Sequence, residues 1–337
     1  MDIDKPYLLF LGDVKDQLAA KTAHGIVDWR REWCVGQLRL PGCAADCGLP
    51  DMDLAQAKDE GARTLVVGVV NPGGVLADAW VDTLVRALEA GLDVATGLHQ
   101  RLSSFPAVAQ AAAEHGRRLL DVRFPDRDFA TGQGTKRPGL RVLTVGTDCA
   151  VGKKYTALAL ERELRQRGWK ADFRATGQTG ILISGRGVAL DAVVSDFVSG
   201  AAEWLTPAND ADHWDVVEGQ GSLFHPSFAG VTLGLLHGTQ PDAFIVCHEP
   251  TRTRMRGVKH PLPSIQDVID RTVLEGRLTN PAIQCTGIAI NTEHLGEDEA
   301  LKLLEATGRA HALPCVDPLR TGAGPLADAL ESRFPRG

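Results

Sequence analysis

The chain has 337 residues, with 36 Lys and Arg against 43 Asp and Glu, so its formal net charge is −7. This length exceeds that of one ordinary domain, and 44% hydrophobic and 23% charged residues exclude a mainly disordered or fibrous chain. The negative charge gives no basis for binding nucleic acid or an anionic membrane, and no apolar stretch reaches the length of a membrane span. The start lacks the basic end of a signal peptide, and seven cysteines do not suggest a disulfide framework. We therefore expect a cytoplasmic protein that acts on small molecules.

Short apolar runs alternate with helical patterns in the first part of the chain, which predicts an α/β fold. The predicted strands are Tyr7–Leu11, Thr64–Val70, Leu92–Ala95 and Arg118–Val122. Helices are predicted at Leu76–Ala90 and Ala107–His115. Runs of this kind are typical of a parallel sheet that is buried on both faces. We predict a first domain over residues 1–125.

Residues 126–139 are rich in Gly, Pro and charged side chains and show no apolar period, so we predict a linker there. The second domain, residues 140–337, is also predicted to be α/β. Its predicted strands are Leu140–Val145, Ala171–Ala175, Trp214–Val217, Ala243–Cys247, Gly287–Ile290 and Leu313–Val316. Its predicted helices are Lys153–Arg167, Asp191–Glu203, Ser264–Glu275 and Glu297–Ala306.

A glycine-rich loop directly follows the first strand of the second domain and opens a helix, which is the setting of a phosphate-binding loop. Lys153 supplies a point charge, and the loop is one residue longer than the usual spacing, since Thr147 stands where that spacing requires Gly. Lys154 stands where a Mg²⁺-binding hydroxyl is expected, so we predict no metal at this loop. The predicted phosphate-binding residues are Gly146, Thr147, Asp148, Cys149, Ala150, Val151, Gly152, Lys153, Lys154 and Tyr155. Cys149 can have its pKa lowered by the loop amides or can simply fill space.

Three side chains are candidates for a catalytic base. Glu218 ends a predicted strand in front of a Gly turn, and a carboxylate there can take a proton or bind Mg²⁺. Asp196 lies on the predicted helix Asp191–Glu203, five residues from Asp191, so the two do not share a face. His225 is held in a loop before a proline, where a structural histidine is as reasonable as a proton carrier.

The lengthened loop, Gly146-Thr-Asp-Cys-Ala-Val-Gly-Lys153, resembles that of dethiobiotin synthetase and related P-loop enzymes. Further stretches resemble the D-glutamate N-acetyltransferase-like family throughout nearly the whole chain. They are Ala20–Ala23, Val67–Gly74, Ala87–Val94, Thr96–His99, Ala175–Gly185, Asp191–Ala202, Glu218–Pro226, Gly230–Gly238 and Cys247–Arg252. The resemblance implies a Rossmann-like parallel-sheet domain followed by a P-loop NTPase-like α/β domain.

The resemblance also implies an acetyl-CoA-dependent N-acetyltransferase of D-amino-acid metabolism, acting on an acidic amino acid, with D-glutamate as the expected acceptor. Acetyl-CoA is then the co-substrate, and its pyrophosphate needs a cradle but no metal. The expected substrate-binding residues are Thr176, Gln178, Thr179, Gln220, Arg252 and Arg254. The arginines are expected on chemical grounds, because Arg252, Arg254 and Arg256 follow the strand Ala243–Cys247 and arginine binds carboxylates, although alternating Arg on a solvated loop looks the same. Asn291 resembles an adenine-reading residue, although a turn-forming Asn looks the same. The alternative is an ATP- and Mg²⁺-dependent ligase of the dethiobiotin synthetase type. We expect a homo-oligomer.

Overall fold

The computed structural model describes residues 2–69 and 76–335. Residues 70–74 of the stretch Val67–Gly74, which contributes to the family resemblance, lie outside the described residues, and so does the last residue of the predicted strand Thr64–Val70. The chain divides into two compact units. The first comprises Met1–Asp126 and Gly177–Ala192, and the second comprises Arg127–Thr176 and Val193–Gly337.

The first unit is built on a parallel sheet with the strand order β2-β1-β3-β4-β5. Its strands are β1 (Tyr7–Gly12), β2 (Cys34–Arg39), β3 (Thr64–Val67), β4 (Asp93–Thr96) and β5 (Leu119–Asp121). The apolar residues of β1 and β3 are fully buried because both strands lie inside the sheet. The four predicted strands are confirmed, and β2 is an additional edge strand.

The second unit contains a parallel sheet with the order β11-β10-β9-β6-β8-β7. Its strands are β6 (Leu140–Gly146), β7 (Ala171–Arg174), β8 (Trp214–Val217), β9 (Ala243–His248), β10 (Gln284–Ile290) and β11 (Cys315–Val316). All six predicted strands are confirmed. Because β6 lies between β8 and β9, the loops that follow these three strands meet at one edge of the sheet, where open α/β sheets bind ligands.

The helices lie between successive strands, except for α11, which follows the last strand. In chain order they are α1 (Lys21–Arg30), α2 (Leu54–Asp59), α3 (Asp78–Glu89), α4 (Pro106–Glu114), α5 (Lys153–Gln166), α6 (Gln178–Ser184), α7 (Val198–Leu205), α8 (Ala229–Thr239), α9 (Ile265–Gly276), α10 (Glu297–His311) and α11 (Gly324–Arg333). Of the helices within residues 2–69 and 76–335, none is both long and apolar enough to cross a bilayer.

The prediction of a single helix over Asp191–Glu203 is wrong. Two short 3₁₀ turns, Leu190–Ala192 and Ser195–Phe197, precede α7. The chain leaves the first unit after Ala192 and enters the second at Val193, so a continuous helix is interrupted at this passage. Asp191 and Asp196 therefore belong to different turns and different units.

Candidate phosphate-binding site

The phosphate loop runs from the end of β6 to the first residue of α5, as predicted. Ala150 and Gly152 both have positive φ, 54° and 99°, the left-handed conformation that occurs in backbone nests that bind anions. The N–H of Thr147 is bound to the carbonyl of Cys247 on the neighbouring strand β9 (3.1 Å), which fixes the start of the loop. The N-terminus of α5 adds a partial positive charge. The backbone of this loop is therefore suited to serve as an anion cradle.

Lys153 lies beneath this cradle and is 7% exposed. Its Nζ donates a hydrogen bond to the carbonyl of Asp148 (2.7 Å), so the side chain bends back along the loop. Burial lowers the pKa of Lys153, while the neighbouring Cys247, Cys149, Asp148 and Glu218 oppose that shift. A phosphate dianion in the cradle would favour the charged ammonium in the same way.

Asp148 connects the phosphate loop to the segment after β9 and is fully buried. Its Oδ2 accepts from the Arg252 guanidinium (2.9 Å) and from the backbone N–H of Arg256 (2.7 Å). Within the described residues its Oδ1 has no hydrogen-bond partner. Arg252 also donates to Glu249 (2.9 Å) and to the carbonyl of Cys149 (3.0 Å). The predicted substrate residue Arg252 is thus already engaged in holding the loop.

Glu218 follows β8 and is 5% exposed. Its Oε2 accepts from the backbone N–H of Thr176 (2.9 Å), and its carbonyl accepts from the Thr176 hydroxyl (2.7 Å). Gln220 donates to that same hydroxyl (3.0 Å). Three predicted residues, Glu218, Thr176 and Gln220, are therefore brought together. They lie beside the phosphate loop, because a Cβ on Gly219 would stand 3.0 Å from Cδ of Lys153.

His225 is buried and stacked on Phe228, with ring centroids 4.4 Å apart. Its Nδ1 accepts the N–H of Ser227 (3.1 Å), and its Nε2 lies 3.0 Å from the carbonyl of Arg256. This pattern assigns a neutral ring with the proton on Nε2, because a carbonyl can only accept. Because both ring nitrogens are engaged, the geometry favours a structural role for His225 over that of a proton carrier.

Three other predicted residues border the loop. Lys154 places its ammonium 4.4 Å from the centre of the Tyr155 ring. Asn291 lies next to the loop, since a Cβ added to Gly152 would be 3.9 Å from the Cβ of Asn291. Its Oδ1 accepts the N–H of Glu293 (3.0 Å), which is the turn that a purely structural Asn forms.

Asp196, Gln178, Thr179 and Arg254 have other surroundings in their own units. Asp196 is exposed on its 3₁₀ turn, and Gln178 and Thr179 begin α6 in the first unit. Arg254 is exposed and donates to the carbonyl of Lys259 (3.3 Å). The structure therefore separates the predicted substrate residues between the two units.

Among the described residues, Asp148, Cys149 and His225 form the one group with the spacing of metal ligands, their ligand atoms lying within 4.8 Å of one another. The chemistry of this set fits a metal poorly, because both His225 nitrogens are already engaged and burial raises the pKa of the Cys149 thiol. The raised thiol pKa also favours space filling for Cys149. Sequence reasoning missed this cluster, since His225 is distant from the loop along the chain.

Comparison with known proteins places this fold and site in a family. A family model described as a domain of unknown function (DUF1611_C), P-loop domain, matches residues 128–327, and its companion, the Rossmann-like DUF1611_N domain, matches residues 38–125. A crystal structure of a DUF1611 family protein from Anabaena variabilis is 32% identical, with a TM-score of 0.81 over 98% of this chain and 100% of that one. The chain belongs to the DUF1611 family.

Two curated relatives carry a more specific name. A protein from Tritonibacter scottomollicae is 54% identical over 97% of this chain and 99% of its own length, and one from Pseudoalteromonas sp is 49% identical over 98% and 100%. Both are named D-glutamate N-acetyltransferase. By this full-length similarity the chain is an enzyme of the N-acetyltransferase class, as the resemblance in its sequence implied.

Proposed function

We propose that this enzyme transfers an acetyl group from acetyl-CoA to the amine of D-glutamate, as a step in D-amino-acid breakdown. The names of the two relatives support the acceptor and the reaction class. The observation that carries the choice of donor is the phosphate loop, which has a positively charged cradle but Lys154 in place of the Mg²⁺-binding hydroxyl. Acetyl-CoA offers a pyrophosphate that is bound and never cleaved, so a metal clamp is unnecessary.

The reaction requires a proton acceptor, because an α-ammonium cannot attack a thioester. Glu218 is our candidate. Its carboxylate is buried beside Lys153, and Oε2 is oriented by the N–H of Thr176. We propose that Glu218 takes one proton from the ammonium and that the freed amine then attacks the thioester carbonyl. When the tetrahedral intermediate collapses, the C–S bond breaks and a second proton from the nitrogen passes to the sulfur, so that CoA leaves as the thiol. The loop amides and Lys153 hold the CoA pyrophosphate meanwhile.

The variant Glu218→Gln tests this assignment. Its acetyl-CoA binding and kcat are compared with those of Gln220→Glu, a substitution at a neighbouring residue. We expect Glu218→Gln to bind acetyl-CoA normally and to lose about 10²–10⁴-fold in kcat, with a smaller deficit at high pH where free amine accumulates. Near-normal kcat at neutral pH would exclude Glu218 as the base. Loss of acetyl-CoA binding in this variant would make it a binding residue instead.

Metal dependence separates this proposal from the ligase alternative. We expect acetyl transfer to D-glutamate to continue after exhaustive treatment with EDTA. Activity that disappears with EDTA and returns with Mg²⁺ and ATP would support an ATP-dependent ligase of the dethiobiotin synthetase type. Omitting ATP while acetyl-CoA is supplied completes the comparison.

A further inference from the structure

The segment that follows β9 is unusually basic. Between residues 252 and 260 it contains three arginines, a lysine and a histidine, and no acidic residue, in a chain whose net charge is −7. Arg252 is the half-buried member and is paired with Asp148 and Glu249. The side chains of Arg254, Arg256 and Lys259 are exposed, and no ion pair involves them in the part of the chain that the structure describes. Three positive charges are therefore left uncompensated at one place.

This basic segment is folded and is fixed to the phosphate loop. The N–H of Met255 is bound to the carbonyl of His260 (2.9 Å), and the N–H of Leu262 to the carbonyl of Thr253 (3.2 Å), which closes a short turn over a buried Met255 side chain. The Arg256 N–H donates to the buried carboxylate of Asp148 within the loop (2.7 Å). The exposed cations are thus held next to the anion cradle.

We propose that Arg254, Arg256 and Lys259 form a second phosphate site, which binds the 3′-phosphate of CoA while the loop binds its pyrophosphate. This inference rests on the proposed function. CoA carries the 3′-phosphate on the same ribose as the 5′-pyrophosphate, so two adjacent anion sites suit it, whereas ATP and GTP have no group for the second. Arginine and lysine side chains bind phosphate through charge-assisted hydrogen bonds. The site would make the enzyme selective for CoA over nucleotides.

The experiment measures the affinities of acetyl-CoA and 3′-dephospho-acetyl-CoA by calorimetry for the wild-type enzyme, Arg256→Ala, Lys259→Ala and their double variant. Arg256→Ala keeps the backbone N–H that binds Asp148, so the loop anchor remains. Lys302→Ala is the matched control, because Lys302 is an exposed lysine on α10. The steady-state KM for D-glutamate is measured for each variant as well.

We expect the wild-type enzyme to bind acetyl-CoA roughly ten- to a hundredfold more tightly than the dephospho form, and the double variant to lose that preference. The double variant should keep the wild-type affinity for the dephospho form and the wild-type KM for D-glutamate. In Lys302→Ala, both thioester affinities and the KM should equal those of the wild-type enzyme. Equal wild-type affinity for the two thioesters, or equal weakening of both in the variants, would overturn the second site. A raised KM for D-glutamate alone would assign these cations to the acceptor carboxylates instead. If neither thioester binds the wild-type enzyme, the proposed function itself fails.

Discussion

At the scale of single residues, we predict that anion binding depends most on Lys153. Replacing it with Ala removes the point charge and leaves the backbone cradle, so acetyl-CoA affinity should fall by about 1.5–3 kcal/mol, the range for hydrogen bonds to charged groups. Calorimetry measures this loss, and thermal unfolding of the free variant shows whether the protein still folds, because Lys153 also binds the Asp148 carbonyl. Unchanged affinity in a folded Lys153→Ala protein would exclude the loop from donor binding.

Glu249 gives a second prediction, on the pH dependence of stability. Burial alone would raise the pKa of Glu249, but hydrogen bonds from Thr251 and Arg252 outweigh it and hold the pKa below the ordinary 4.5. A carboxyl group with a depressed folded-state pKa stabilises the protein above its unfolded pKa, and this stabilisation is lost as pH falls through the folded value. Glu249→Gln should therefore cost roughly 1–2 kcal/mol of unfolding free energy at pH 7 and progressively less below about pH 4.5.

Urea unfolding at a series of pH values measures this dependence. Glu305→Gln is the control, because Glu305 forms an exposed i,i+4 pair with Arg309 on α10 and should contribute little at any pH. A constant difference between the wild-type protein and Glu249→Gln from pH 7 to pH 3 would show that the carboxylate charge does not stabilise the segment after β9.

At the scale of elements, the contact between α7 and α8 depends on glycines. A Cβ on Gly238 of α8 would lie 2.1 Å from the carbonyl oxygen of Ser199 on α7, so the two helices could not pack as closely as they do. Gly238→Ala should therefore destabilise the protein by about 1–3 kcal/mol through overpacking. Gly230→Ala in the same helix is the control: a Cβ there meets nothing within 4 Å, and we expect it to stabilise by roughly 0.5–1 kcal/mol. Urea unfolding compares the two, and equal effects would refute the packing argument.

The elements also show how much the sequence can predict. Strands buried on both faces, such as β1 and β9, give continuous apolar runs, and all ten predicted strands are present. The strand β2 (Cys34–Arg39) lies at an edge, where Gln and Arg replace the apolar run, so it gives no such signal. The helix α8 was missed because its glycines are needed for close packing, although glycine usually argues against a helix.

Within the candidate site, the sequence predicts only the proximity of residues that follow neighbouring strands of the sheet. The phosphate loop and Glu218 follow neighbouring parallel strands, so their common edge can be expected from the α/β pattern. The pairing of Asp148 with Arg252 joins residues 104 positions apart and depends on the path of the segment after β9. No local pattern encodes that path, so an arginine that clamps the loop looks the same in the sequence as one that is free to bind substrate.

At the scale of the whole molecule, the chain crosses between the two units three times, because residues 177–192 return to the first unit. This excursion contributes core and hydrogen bonds there. Ile181, Leu182 and Ile183 of α6 are almost completely buried, α6 packs on α1, and the N–H of Ile3 is bound to the carbonyl of Gly185 (2.7 Å). Each of these buried aliphatic side chains stabilises the folded unit by roughly 1.5–3 kcal/mol. Together their contribution is comparable with the total unfolding free energy of a domain.

A fragment of residues 1–126 should therefore fail to fold stably, while the same fragment joined by a flexible Gly/Ser linker to residues 177–192 should fold. Far-UV circular dichroism and thermal unfolding of the two fragments measure the difference: we expect a cooperative transition in the joined fragment alone. The matched control carries the same linker and α6 segment with Ile181, Leu182 and Ile183 replaced by Ser, which keeps the chain length but removes the buried apolar surface, and it should behave like residues 1–126. If residues 1–126 unfold cooperatively at the same temperature as the joined fragment, α6 is dispensable and the first unit is complete without the excursion.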